Sequence, residues 1–437
     1  MSEIHDKEAY AKTMPGVFEQ YGKNFCCAPW NTLWTSATGD IKYCCASSEV
    51  LGDSSQTIDT IINGPKAKEI RRQFLNKEQP ESCKQCWDKE RGGNFAGSAR
   101  ELSNVQGFES IIDSIANTKE DGHIDKHNLK FIDVIWTNKC NFACLHCVPS
   151  LSSTINNTFE DAFSKWLYKN QTHGKFGYPN PDTIDNSDKI EYILKNASTL
   201  DQIHFNGGEP FLQADTFTLL DELMKAGYAN KINLWFHTNG SVRSYKNIDI
   251  IEDYLKKWGN NAMIIMSHDH FGKRGEYFRY GYNEDKWLEN FHRFKATGIN
   301  LHVSTSLTLF NILTLHELMD WYYKNKISIN TTLSLSYVTG PDLFDFSNVK
   351  YSEELKPLIP KVLTWSKMHL HPYYQYHWIE QIKNCEAMQD MPFDFTNLKE
   401  DFISSITALD EKRNTNFLET FPELEPLYRK LKNDQSL

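Results

Sequence analysis

The chain has 437 residues, of which 40% are hydrophobic and 24% charged, and a formal net charge of −10. That length is too great for one small core and predicts two or three domains, or one large α/β domain with an appendage. The acidic balance argues against general nucleic-acid binding, which needs a basic footprint, and no apolar stretch has the length to cross a bilayer, so neither nucleic acid nor membrane is an expected partner.

The N-terminus, Met1-Ser-Glu-Ile-His-Asp-Lys7, lacks the apolar core of a signal peptide, which predicts a cytoplasmic protein with reduced thiols. Ten cysteines in that compartment call for metal ligands before disulfides. Nine lie within the first 147 residues and only Cys385 lies outside, so metal chemistry is expected in the N-terminal third.

Residues 1–24 read as a polar lead-in, and residues 25–128 as a small α+β domain. Within it, Thr32-Leu-Trp-Thr35 and Ile41-Lys-Tyr43 flank Thr38-Gly39-Asp40, the pattern of a β-hairpin that brings cysteines at its two ends together. A helix is expected over Pro65–Leu75, with proline at its start. It is followed by Cys83-Lys-Gln-Cys86, a CX2C knuckle. Cys26, Cys44, Cys83 and Cys86 then form a candidate four-thiolate site. The residues themselves leave Cys27 and Cys45 open as replacements, and suit zinc or an iron–sulfur cluster equally well. Glu90-Arg-Gly-Gly93 and Ser98-Ala-Arg100 read as a loop and a helix cap beside the knuckle.

Residues 129–345 alternate strand and helix patterns, which predicts parallel βα units. Strands are expected near 131–136, 201–205, 231–236, 262–266, 300–304 and 332–337, with helices such as 214–227 and 313–326 between them. Polar motifs gather at the strand ends, where barrel-like α/β folds keep their chemistry. After the first strand comes Cys140-Asn-Phe-Ala-Cys144-Leu-His146-Cys147. Three thiolates on one loop hold three irons of a cubic [4Fe–4S] cluster and leave the fourth iron open to an exchangeable ligand. A structural zinc loop with His146 as fourth ligand is the competing reading. After the second strand comes Gly207-Gly208-Glu209-Pro210, where glycines admit a ligand close to the backbone and a glutamate accepts a hydrogen bond from an ammonium group. Thr238-Asn239 follows the third strand and Ser267-His268-Asp269 the fourth.

Loops at strand ends carry specificity. The insertion over 148–187, with Trp166, Tyr168, Phe176 and Tyr178, and the segment holding Arg274 and Arg279 are therefore expected around a substrate pocket, with a surface salt bridge the simpler fate of either arginine. The tail, 346–437, reads as mostly helical (353–367, 402–412 and 424–432). It also carries an aromatic stretch from His369 to His377 that suits a lid or docking surface, and Cys385 as a small buried residue.

The CX3CX2C loop after a first strand, followed by Gly207-Gly208-Glu209-Pro210, resembles the radical S-adenosylmethionine (SAM) enzyme superfamily. Cys26, the Gly39-to-Cys44 spacing and the knuckle resemble the twitch and SPASM auxiliary-cluster domains, in the shorter twitch form; here that domain precedes the core, whereas in most members it follows. The resemblance implies an α/β fold: a partial (β/α)6 TIM-like barrel with a small N-terminal α+β auxiliary-cluster domain and a helical C-terminal extension. It implies Cys140, Cys144 and Cys147 as ligands of a SAM-binding [4Fe–4S] cluster. Gly207, Gly208 and Glu209 would meet the SAM amino group, and Thr238, Asn239, Ser267 and Asp269 its ribose and carboxylate, with His146 near the adenine. It favours Cys26 over Cys27 and Cys44 over Cys45 as ligands, with Cys83 and Cys86, of a second, auxiliary [4Fe–4S] cluster. The implied activity is reductive cleavage of SAM to a 5′-deoxyadenosyl radical, fed by a reductant such as flavodoxin or ferredoxin. Peptide or protein modification is the leading expectation and a carbohydrate-type small-molecule dehydrogenase the second. A non-catalytic iron–sulfur or zinc protein, acting in electron transfer or as a scaffold, is the alternative of a different class.

Overall fold

Apolar residues at alternate positions build the strands, and apolar residues at helical spacing build the helices between them. The computed structural model describes residues 19–91, 98–107, 109–158, 177–327, 331–337 and 399–433, together with residues 360 and 364. Trp166, Tyr168, Phe176, Gly92-Gly93, the His369–His377 stretch and Cys385 lie outside the described residues, as does all but residues 360 and 364 of the helix expected over 353–367. The chain divides into two compact units: residues 1–138, 179–236 and 252–262 form the first, and residues 139–178, 237–251 and 263–437 the second.

In the first unit, β1 (Thr32–Thr35) and β2 (Ile41–Lys42) pair antiparallel as the expected hairpin. Gly39 closes its turn at φ 87°, and the Ser36 hydroxyl accepts the Thr38 and Asp40 N–H groups. β3 (Phe131–Val134), β4 (Gln202–Phe205) and β5 (Asn233–Thr238) pair in parallel, in register through Ile132, Ile203 and Leu234. One pairing is invisible in the sequence. β1 runs parallel to β3, with Leu33 opposite Ile132, so the hairpin extends this sheet instead of standing apart. Ile132, Val134, Ile203, Phe205, Leu234 and Phe236 bury one face, where Phe205 and Phe236 stack at 4.6 Å. Asp133, His204 and Trp235 stand half-buried on the opposite face, as strand alternation requires.

Helix α1 (Pro65–Leu75) starts on its proline and turns Ala67, Ile70, Arg71 and Phe74 inward. Arg71 is fully buried without a carboxylate partner among the hydrogen bonds its guanidinium makes, which run to the Pro29, Ile62 and Gly122 carbonyls, the Asn63 side chain and the Tyr43 hydroxyl. It thereby fastens the hairpin, α1 and the loop at Gly122 together. α2 (Lys84–Arg91), α3 (Ala99–Gly107), α4 (Ser187–Lys195) and α5 (Ala214–Lys225) complete the helices used below.

In the second unit, β6 (Ala262–Ser267), β7 (Asn300–Leu307) and β8 (Thr332–Tyr337) pair in parallel. α6 (Gly272–Phe278), α7 (Glu284–Ala296) and α8 (Leu315–Lys324) connect them, with the Asn283 side chain capping α7. α9 (Lys399–Arg413) and α10 (Glu425–Asn433) form the helical C-terminal region. Arg274 is committed to this packing: it pairs with Glu317 and Glu423 and donates to the Thr420 carbonyl. No helix among the described residues is long and apolar enough to cross a membrane.

Replacing Arg71 with Met keeps the apolar stem but strands three buried carbonyls. Urea unfolding is expected to show a loss of about 3 kcal/mol, at roughly 1 kcal/mol per lost bond, and an unchanged midpoint would refute the clamp.

Candidate metal centres

In the second unit, the loop holding Cys140, Cys144 and Cys147 is shaped by hydrogen bonds at both ends. The Cys140 N–H donates to the Ser153 hydroxyl at 3.1 Å, and the Ser153 and Thr154 hydroxyls donate back to the Cys140 carbonyl. Ser152 donates to the Phe142 carbonyl at 2.6 Å. Ala143–Cys144 pairs antiparallel with Arg279–Tyr280, and the Leu145 N–H reaches the Phe278 carbonyl at 2.9 Å. Arg413, at the end of α9, donates to the Ala143 and Tyr277 carbonyls while its guanidinium packs over the Tyr280 ring. The C-terminal region therefore holds the loop directly.

Donors are directed at the sulfurs of this loop. The Phe142 N–H lies 3.5 Å from Cys140 Sγ, the Asn239 amide 4.0 Å from the same atom, and Arg279 Nη1 3.6 Å from Cys144 Sγ. Burial pushes the Cys144 thiol up and the Cys147 thiol up to about 12, with Arg279 working the other way on both. Three thiols on one loop, two of them met by N–H donors, suit a bound cationic centre that takes them as thiolates, so the residues fit an iron–sulfur cluster.

Asp269 and Arg279 form one buried device. Burial disfavours the Arg279 charge, but Asp269 and the Cys144 sulfur more than offset this and hold the guanidinium charged. Asp269 Oδ2 sits 2.7 Å from Arg279 Nε, and Oδ1 accepts the Ser306 N–H at 2.7 Å. Both carboxylate oxygens are thus engaged inside the chain. His268, between Ser267 and Asp269, points the other way. Its two ring nitrogens meet the Tyr322 and Tyr282 hydroxyls, and its ring stacks on Trp321. The Ser267 carbonyl accepts the Trp287 indole N–H.

Thr238 is buried, with its hydroxyl accepting the Gly240 N–H. The Asn239 amide donates to Asn141 at 2.9 Å while its oxygen accepts the Ser241 N–H. His146 is half-buried and stacks on Phe278 at 4.9 Å; burial takes its pKa down to about 4, so the ring is neutral.

In the first unit, Gly207 and Gly208 both adopt left-handed φ values, 66° and 55°. A Cβ on Gly207 would lie 2.6 Å from Ile135 Cγ2, so both the conformation and the space demand glycine. Glu209 is completely buried and caps the following turn by accepting the Phe211 N–H. Gln213 ties this loop to the end of β3: its amide donates to the Gly207 carbonyl and its oxygen accepts the Thr137 N–H and hydroxyl.

The remaining cysteines also lie in the first unit. Cys26, Cys44, Cys83 and Cys86 line one cavity, together with Phe74, Ala99 and Arg100. Burial pushes all four thiols up, Cys44 to about 12 and Cys83 to about 11. Cys27 turns elsewhere, its thiol donating to the Ser103 carbonyl at 2.8 Å. Cys45 lines a neighbouring cavity. Arg100 is pinned by Glu90 at 2.6 Å, packs over Trp87 and donates to the Lys23 and Phe25 carbonyls, which sets a buried cation beside the four sulfurs. Four thiols around one cavity, Cys26 and Cys86 buried and Cys44 and Cys83 half-buried, fit a closed cluster.

A radical SAM superfamily model matches residues 134–322, and the model of an iron–sulfur cluster-binding domain, SPASM, matches residues 26–87. The chain thus carries a radical SAM domain with an iron–sulfur SPASM domain on its N-terminal side. The α/β pattern of parallel strands and helices agrees with such a domain, whose cofactors are a [4Fe–4S] cluster and SAM, and the SPASM domain implies an auxiliary iron–sulfur cluster. Among solved structures, it is similar to anSMEcpe with bound AdoMet at 16% identity and TM-score 0.32, over 48% of this chain and 52% of that one. The chain thus spans about half the length of that protein. It is also similar to SuiB of Streptococcus suis at 14% identity and TM-score 0.36, over 70% of this chain and 64% of that one. SuiB bound to the precursor peptide SuiA matches at 14% identity and TM-score 0.34, over 82% and 68%. No curated protein matches the sequence significantly.

Gln213, Arg413 and Ser152–Thr154 were not singled out from the sequence. Nothing marks Arg413, which is 270 positions from Ala143. The run Ser152-Ser153-Thr154 is the one local signal, since hydroxyls just after a loop commonly cap its carbonyls. Removing Asp269 strands the buried Arg279 charge, so Asp269→Ala is expected to lower stability to unfolding by about 3–5 kcal/mol. A loss below about 1 kcal/mol, the range of exposed pairs, would show the pair to be dispensable.

Proposed function

We propose that the chain is a radical SAM enzyme that abstracts hydrogen from a peptide or protein substrate, in a modification or oxidation assisted by the auxiliary cluster. The observation that carries this reading is the CX3CX2C loop with N–H donors directed at Cys140 and Cys144, inside a matched radical SAM domain. Cys140, Cys144 and Cys147 would hold the SAM-binding cluster; Cys26, Cys44, Cys83 and Cys86 would hold the auxiliary one. When bound, the first cluster and SAM supply a 5′-deoxyadenosyl radical for hydrogen abstraction.

The chain's own residues orient and shield that chemistry. Gly207 and Gly208 would let the backbone approach the SAM amino group, and the Glu209 carboxylate would accept its hydrogen bonds. Thr238, Asn239 and Ser267 would face the ribose and carboxylate, with His146 at the adenine side as a neutral stacked ring. Asp269, with both oxygens engaged, acts by holding Arg279. Electrons would come from a flavodoxin- or ferredoxin-type reductant.

Anaerobic reconstitution followed by dithionite and SAM is expected to release 5′-deoxyadenosine. None above background, with both clusters present, would refute the enzyme reading. Changing Cys140, Cys144 and Cys147 together to Ala should abolish that product and lower iron from about eight to about four per chain, and zinc in place of the retained iron would overturn the auxiliary-cluster assignment. Gly207→Ala should weaken SAM binding by about 2 kcal/mol, roughly thirtyfold in Kd, from strain at a left-handed position. Unchanged affinity in an equilibrium titration would remove this loop from the SAM site.

A further inference from the structure

The exposed face of the first unit's sheet carries a second cavity that the radical chemistry does not use. Its volume is about 220 Å³, and Phe131, Asp133, His204, Trp235 and Cys45 form its wall. Cys44 reaches into the same wall, so this cavity adjoins the four-cysteine cavity described above.

Three neighbouring strands bring Asp133, His204 and Trp235 side by side, because these residues are partners in the β3–β4–β5 register. The row is ordered. His204 Nδ1 lies 2.8 Å from Asp133 Oδ1, the Asn206 amide donates to the same oxygen at 3.2 Å, and the imidazole stacks on the Trp235 indole at 4.6 Å and 13°. The Gln202 side chain engages the other imidazole nitrogen. Both bonds to the carboxylate therefore fall on Oδ1, and Oδ2 carries none among the described residues.

We propose that this cavity is a subsite for a protonated primary amine, with the ammonium group at Asp133 Oδ2 and its alkyl stem against Phe131 and Trp235. A half-buried carboxylate with one oxygen pinned and one open holds a cation more firmly than a freely rotating surface acid does. The indole beside it favours the same charge. No lysine or arginine among the described wall residues offsets Asp133. Lys42 of β2 is turned to the Ser47 carbonyl and the Trp34 ring. A four-thiolate cluster held next door would add net negative charge. The apolar wall accommodates several methylenes, as a lysine side chain or a small alkylamine has.

Only the step from bound amine to substrate rests on the radical SAM reading; the binding claim stands on the cavity alone. The test is calorimetric titration of the anaerobically reconstituted protein, without SAM, using n-butylamine and its neutral counterpart n-butanol at pH 7. The amine is expected to bind at least tenfold more tightly than the alcohol. Asp133→Asn should remove that preference and leave the alcohol's affinity as it was, since asparagine still accepts from His204 and Asn206. Equal affinities for the two probes, no binding of either, or an Asp133→Asn protein that keeps the preference would each overturn the subsite. The comparison on the unaltered protein decides even where the variant loses its clusters. 5′-Deoxyadenosine release from SAM and dithionite in the same preparation is read separately. Amine binding without that product refutes the enzyme reading and keeps the subsite; the product without amine preference refutes the subsite alone.

Discussion

Buried sulfur that must become anionic is the constraint on which both candidate metal centres depend. Burial raises the thiols of Cys26, Cys44, Cys83, Cys86, Cys144 and Cys147, so the fold opposes the ionisation that metal binding demands. The chain answers in the same way at each centre. Arg100, pinned by Glu90, stands at the four-cysteine cavity, and Arg279, pinned by Asp269, reaches Cys144. In both, a carboxylate fixes a buried arginine and the arginine faces sulfur. A lone buried arginine would be costly, and a carboxylate next to thiolate would be repulsive. The ordered pair puts the positive end where the negative charge develops.

The same constraint explains the division of labour at the end of β6. Ser267, His268 and Asp269 alternate in direction, as strand residues do. His268 is spent on the core, between two tyrosine hydroxyls and an indole, and this fixes the strand end from behind. Asp269 is then aimed at Arg279, with its other oxygen anchored by the Ser306 N–H. Arg413 performs a similar service for the backbone at Ala143, so a cluster loop that is short in sequence is braced by segments far along the chain.

Much of this was legible in the sequence. The hairpin, the Pro65–Leu75 helix and the parallel strands with motifs at their ends follow from periodicity, turn residues and proline placement, because those signals are local. What stayed hidden depends on direction and on distance. The parallel pairing of β1 with β3 joins segments about a hundred residues apart, and neither strand's composition names its partner. Asp269 reads as a polar residue at a strand end, but which group meets each carboxylate oxygen is settled by Arg279 and the Ser306 backbone. Adjacent cysteines pose the same difficulty. Cys26 and Cys27 are equivalent by composition, yet one lines the cavity and the other donates to Ser103, because the turn into the helix at Ala28–Asn31 points them apart.

The β1–β3 pairing has a consequence that reaches beyond fold description. By joining the hairpin to the sheet in register, it sets Leu33 beside Ile132 and brings Cys44 and Cys45, just past the hairpin's second strand, to the face that carries Asp133, His204 and Trp235. An auxiliary-cluster domain appended after the core would owe its position to a linker. Here Cys44, one of the four cavity cysteines, lies just past a strand of the same sheet that carries the Asp133–His204–Trp235 row, so backbone hydrogen bonds fix the spacing between that cysteine and the row. That rigidity matters because a group held at Asp133 would keep a fixed distance from Cys44. Fixed distance is what an electron acceptor, or a static negative field acting on a bound cation, needs in order to contribute reproducibly.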